Sequence, residues 1–208
     1  MAGVGRQSTS IGDVVQRNLV GGALVGAGAY LAGYVLTYLL VIVDGVESQG
    51  DIETWKAVGW VFYNAHNVDV AFVGSAGDAS VTESFTLFEE GAGNLTSTVP
   101  QLVYFLVPAV ALAGAGYVAY QRAETRELEA AQAAAVGATV LVGYLALVVL
   151  GRFLFEATGS FLGADLAIAP ELGTAVVLAG IAYPLVLGGA GALLARSQDG
   201  GQRGEKLR

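Results

Sequence analysis

Four long apolar segments with no charge near their centres set the limits on this chain: Leu19–Val43, Gln101–Tyr120, Gln132–Phe155 and Leu172–Ala195. Each is close to the ~20 residues that cross roughly 30 Å of hydrocarbon at about 1.5 Å per helical residue. Charged residues make up 13% of the chain, against about 25% in an ordinary soluble domain. They are missing from the four segments and concentrated between them. The expected fold class is therefore an all-α membrane protein, a four-transmembrane-helix bundle embedded in a lipid bilayer. The first segment is longer than a signal-peptide core and follows eighteen polar-rich residues, so it reads as a span rather than a cleaved leader.

Lys and Arg orient the bundle. Arg6, Arg17, Arg122, Arg126, Arg196, Arg203, Lys206 and Arg208 fall on one side of the four segments, and only Lys56 and Arg152 on the other. The richer side is expected in the cytoplasm. Twelve of the eighteen acidic residues fall on the opposite side. The chain then divides into a cytoplasmic N-terminal segment (1–18), a first span (19–43), an extracellular domain (44–100), a second span (101–120), a cytoplasmic connector (121–131), a third span (132–155), a short extracellular loop (156–171), a fourth span (172–195) and a disordered cytoplasmic tail (196–208). The expected location is the cell membrane, multi-pass, with both termini cytoplasmic.

The extracellular insertion between the first two spans is too long for a plain connector. In 51–66, the residues Ile52, Trp55, Val58, Phe62 and Ala65 follow helical spacing, and Trp60 and Tyr63 widen the apolar face. This predicts an amphipathic helix that lies along the outer membrane surface or caps the bundle. After it, Val68, Val70 and Phe72 alternate with polar or small residues, Ser75–Ala79 supplies a turn, and Val81 to Phe88 is β-prone. That pattern predicts a small β-hairpin. On the cytoplasmic side, Thr125 is the expected cap of the third helix.

Net charge is −8 and Lys occurs only twice. An acidic, Lys-poor chain suits molar salt, where a Debye length of about 3 Å mutes repulsion among carboxylates. Cysteine is absent, which excludes disulfides, thiolate metal sites and cysteine nucleophiles.

Few residues point to chemistry. His66 is the sole histidine. With Asn64, Asn67 and Asp69 nearby it falls short of a zinc site, and it reads as a structural cap of the outer helix. No catalytic, cofactor-binding or metal-binding residues are assigned, and enzyme activity, cofactors and nucleic-acid partners are not expected. Asn94-Leu-Thr96 is a glycosylation sequon in a polar outer loop. Small residues recur at four-residue spacing, with Gly22 and Gly26, then Ala29 and Gly33, then Gly180, Pro184 and Gly188, the pattern that lets membrane helices approach closely. Tyr30, Tyr34 and Tyr38 form a stripe on the first span, with Thr37 beside it, and read as hydroxyls bonded to neighbouring helices. The expected interaction surface is Trp55, Lys56, Trp60, Phe62, Tyr63, Asn64 and His66. Trp55 is expected to face the membrane or the bundle, and Lys56 to meet a carboxylate of the loop.

The run from Trp55 to His66, WKAVGWVFYNAH, after a Gly/Ala-rich first span, resembles a family of uncharacterised haloarchaeal four-span membrane proteins. The resemblance covers most of the chain and implies a salt-rich habitat and this topology, but no activity. The layout is also similar to claudin-like four-span proteins, although the cysteine pair of that group is absent.

Two readings of function follow. The first is a non-enzymatic membrane protein whose acidic outer domain contacts a protein partner, an envelope component or a second copy of itself. The second is a small transporter or channel component, resting on Pro108 and Pro184 inside spans two and four and on the tyrosine stripe. No ionisable residue accompanies either proline at mid-depth, which counts against proton-coupled transport.

Overall fold

A computed structural model describes residues 10–45, 52–77, 79–89, 98–124 and 128–205, with side chains to 199. Asn94, Asp51, Thr125 and the end of the tail beyond Glu205 lie outside these residues.

Helix α1 (Ile11–Asp44) opens on a cap: the Ser10 hydroxyl accepts from the Asp13 backbone N–H at 3.1 Å. Asp13 also suits the positive end of the helix. The helix closes on Gly45, whose φ of 70° is a left-handed stop suited to glycine. It therefore starts eight residues before the expected span, because Ser10 and Asp13 nucleate it upstream of the apolar run. Helix α3 (Gln101–Gln121) is the second long helix. The third runs Ala130–Leu154 and consists of α4 (Ala130–Ala138) and α5 (Val140–Leu154). Its cap is Glu129, in a reciprocal box with Gln132.

The fourth begins as α6 (Leu172–Thr174), widens into π-helical turns at Ala175–Ala182 and Pro184–Gly188, and ends as α7 (Gly189–Glu205). Pro184 has no N–H and cannot sustain regular α-pairing there. Residues assigned to a disordered tail from 196 onward are helical through Glu205. The Arg196 side chain donates to the Leu128 carbonyl at 2.9 Å and ties that extension to the base of the third helix.

All four long helices are long and apolar enough to cross a membrane. Helix α1 packs on α3 and α5, and the fourth helix packs on α3, α4 and α5. Outward-facing residues such as Leu24, Leu31, Leu106, Val110, Leu150 and Val186 are exposed and apolar.

The short helix α2 (Thr54–Asn64) and four strands gather at one end of the bundle. Strands β1 (Val70–Ala76) and β2 (Ala79–Phe85) form the expected hairpin, turning at Gly77, where φ is 60°. The connection after the third helix, expected as a plain short loop, forms a second hairpin, β3 (Ala157–Phe161) and β4 (Ala164–Pro170). Strand β4 pairs antiparallel with β1, from Val70 opposite Pro170 to Ser75 opposite Asp165, giving the order β2-β1-β4-β3. The fold is thus mostly helical but carries a four-stranded antiparallel sheet, which corrects the all-α assignment. A lone two-stranded hairpin is marginal in water; each hairpin here gains a neighbour and, through Val70, Phe85, Ala157 and Ile168, a footing on the core.

Candidate functional site

The aromatic run Trp55–His66 does not form an open surface. Trp60, Phe62, Tyr63, Asn64 and His66 are all buried, and only Trp55 and Lys56 remain towards the outside. Helix α2 caps the bundle by inserting its side chains into the mouth between α1 and α5. Gly59 permits this, since a Cβ there would overlap the Phe155 ring. A glycine in a short helix costs up to about 1 kcal/mol, which the close approach of the Phe155 ring offsets.

Trp60 Nε1 donates to the Phe155 carbonyl at 2.8 Å, one of the acceptors that a helix end leaves unpaired. The Tyr63 hydroxyl donates to the Val148 carbonyl. Because Tyr63 gives its proton to a carbonyl, it accepts from the Tyr30 hydroxyl at 3.3 Å. Burial pushes the Tyr63 hydroxyl well above its ordinary pKa. Gly151 provides the space, for a Cβ there would strike both tyrosine hydroxyls.

His66 sits at the base of this cluster. Its Nδ1 is 2.7 Å from the Phe62 carbonyl and its Nε2 is 2.7 Å from the Tyr144 hydroxyl. A carbonyl only accepts, so Nδ1 carries the proton and Nε2 accepts from Tyr144. Burial lowers the imidazole pKa to about 4. Phe62 meets Tyr30 edge-on at 5.0 Å, and Tyr34 stacks on Phe155 at 5.4 Å. Within the tyrosine stripe, the Tyr34 hydroxyl donates to the Trp55 carbonyl at 2.9 Å, and Thr37 beside it donates to Gly33 within its own helix at 3.0 Å.

Asn64 faces the hairpin, donating to the Val68 carbonyl at 2.7 Å and accepting from the Leu87 N–H at 2.8 Å. Lys56 pairs with Glu53 at 2.8 Å, and this partner holds the Glu53 carboxyl below its ordinary pKa. Trp55 is 38% exposed, with its ring 5.8 Å from that of Phe155. Trp60 follows it by five positions, which at 3.6 residues per turn is roughly 140° further round the helix, and takes the inward place.

The glycine motifs resolve into contacts between helices of this one chain. A Cβ at Gly22 would meet Thr139, at Gly26 the Val140 carbonyl, at Gly180 the Leu145 side chain and at Gly188 the Gly137 carbonyl, while Gly33 lies under the Phe62 ring. Pro184 is buried beside them. Gly116, Gly137, Gly143 and Gly191 make equally close approaches, although spacing alone did not single them out.

Asp44 is a second buried polar centre. Its Oδ1 accepts from the backbone N–H groups of Thr98 at 2.8 Å and Val99 at 2.7 Å, and its Oδ2 accepts from the Tyr104 hydroxyl at 2.5 Å. The carboxylate fastens the end of α1 to the start of α3. Among the described residues no group of three His, Asp or Glu side chains is placed to hold a metal ion.

Residues 1–199 match a family model described as a family of unknown function, DUF7978. The chain belongs to that family. No curated protein and no solved structure matches the chain. For this DUF7978 member, polar groups at the mouth are absorbed in hydrogen bonds that hold elements together, and the freely presented chemistry lies on the sheet.

Proposed function

We propose that this chain is a non-enzymatic integral membrane protein that acts through its acidic outer domain, as an interaction or envelope subunit. The observation that carries this reading is the sheet: two hairpins, separated in sequence by two long apolar helices, join into one unit at one end of the bundle, with both turns at its far edge. At that edge Phe161 and Leu162 are exposed, Leu162 at 91% and at a φ of 50°. A bulky residue in the left-handed region is costly, and such an outlier motivates a functional reading. The arginine-rich side faces the cytoplasm in this reading, which puts sheet and α2 outside. The net charge of −8 and the shortage of Lys fit a salt-rich, haloarchaeal setting.

Capture of the full chain from its native membrane in molar salt, with Leu162→Asp as the control, tests this directly. A stoichiometric partner retained by the natural chain and lost in the variant is expected. A monomer with identical associations in both forms overturns the reading. A tag at Gly77 is expected to be accessible in intact cells, while a C-terminal tag stays protected.

The π-helical turns around Pro184 favour a second reading, a small transporter or channel component, since broken helices build ion sites in transporters. Ion flux by the purified chain in liposomes would support it over the first.

A further inference from the structure

One face of the sheet carries polar side chains that the fold does not use. Strand register puts Ser80, Ser75, Asp165 and Ser160 side by side in a row across all four strands. The next row on the same face is Thr82, Val73, Ala167 and Thr158. Asp is a poor strand former, so strand propensity does not account for Asp165 at the centre of this row. Among the described residues, none of Ser75, Thr158, Ser160 and Asp165 has a side-chain hydrogen bond or ion pair. Between β1, β4 and β3 these residues line an open trough of about 490 Å³.

The lining decides the ligand class. It holds no Lys, Arg or His, so an anion would find no countercharge. It holds one carboxylate, whereas a hard divalent cation takes about six to eight oxygens, several of them carboxylate or carbonyl. Three hydroxyls that both donate and accept, one carboxylate able to take two donors, and a floor with Val73 and Ala167 complement a neutral ligand dense in hydroxyls with apolar C–H faces. An open trough across strands admits a chain rather than an enclosed small molecule.

We propose that this face of the sheet binds a neutral saccharide chain, with Asp165 as the central acceptor for a pair of adjacent hydroxyls and Ser75 and Ser160 flanking it. The site stands on the sheet alone and holds whether or not a protein partner is found.

The test is saturation-transfer NMR on the full chain in nanodiscs in molar KCl, with mannobiose, maltose and cellobiose as probes. Transfer to at least one of these is expected. It should weaken at least fivefold in Asp165→Asn and in the double variant Ser75→Ala with Ser160→Ala, and persist in Glu83→Gln. Glu83 pairs with Phe72 on the opposite face. Each of the altered positions except Ser75 is exposed, and an unchanged thermal midpoint confirms that each variant folds. Absence of transfer to all three sugars overturns the proposal, as does equal transfer in Asp165→Asn. Stoichiometric calcium binding that disappears in Asp165→Asn also overturns it, in favour of a cation site.

Discussion

Nε2 of His66 lies 2.7 Å from the Tyr144 hydroxyl and receives its hydrogen bond, because Nδ1 is committed to the Phe62 carbonyl. The pair joins the end of α2 to the third long helix, and it requires a neutral imidazole. Burial lowers the His66 pKa from the ordinary 6.5 to about 4. Between those values the unfolded chain holds a proton that the folded chain refuses. Stability from this group is therefore fully present above pH 6.5 and lost as pH falls towards 4. At about 1.4 kcal/mol per pKa unit the loss approaches ~3 kcal/mol. The expected result is that His66→Gln, though less stable at neutral pH, shows a flatter decline in melting temperature over this window at fixed salt. Parallel declines in the two proteins would contradict the buried neutral histidine.

Trp60 anchors α2, and Trp55 does not. Trp60 is 5% exposed and donates to the Phe155 carbonyl, whereas Trp55 is 38% exposed. Trp60→Ala is expected to cost ~3–5 kcal/mol, the usual range for emptying a buried aromatic site. Trp55→Ala should cost well under half of that, and Lys56→Ala should leave the melting temperature unchanged. Equal losses for the two tryptophan variants would show that α2 turns a different face to the bundle.

These two residues also mark the limit of what sequence reading could reach. The four long apolar helices were legible because a run of uncharged apolar residues has few other uses, and the first hairpin because Gly77 and alternating Val and Phe mark it. Helical spacing identified α2 but not its rotation, since Trp55 and Trp60 both fit a wide apolar face. The second hairpin escaped because its turn is Leu162-Gly163, without the Asn-Gly or Asp-Gly signal of such turns. Its strand β4 is also rich in Ala, a weak strand former. Pairing between β1 and β4 joins residues 90 (Ser75 with Asp165) to 100 (Val70 with Pro170) positions apart and leaves no local trace. The membrane-like packing of Gly22, Gly26 and Gly188 was readable from spacing, but Gly59 and Gly151 depend on rings that arrive from elsewhere in the chain.

Asp44 is expected to be the most sensitive charged position at the sheet end of the bundle. It accepts from two backbone N–H groups and from Tyr104. Removing a buried charge strands all three donors, so Asp44→Ala should cost on the order of 3 kcal/mol or more. Tyr104→Phe removes one donor and leaves the other two bonds intact, so its cost should be nearer ~1 kcal/mol. Thermal unfolding in detergent at fixed salt ranks the two. A Tyr104→Phe loss as large as that of Asp44→Ala would show that the backbone bonds contribute little.

Gly26 and Gly28 stand two residues apart in α1 and separate packing from helix propensity. A Cβ at Gly26 would overlap the Val140 carbonyl, whereas nothing lies within 4 Å of one at Gly28. Replacing either by Ala brings the same backbone gain of up to about 1 kcal/mol. At Gly28 that gain is unopposed, so Gly28→Ala should leave the melting temperature unchanged or raise it. At Gly26 the methyl group must push α1 away from α5, and overpacking of this kind costs about 1–3 kcal/mol. The obstacle is backbone, which cannot rotate aside as a side chain end would. Gly26→Ala should therefore unfold at a distinctly lower temperature than Gly28→Ala, and Gly26→Val lower still. If both alanine variants melt together, α1 and α5 do not touch at Val140, and a different helix order holds at the centre of the bundle.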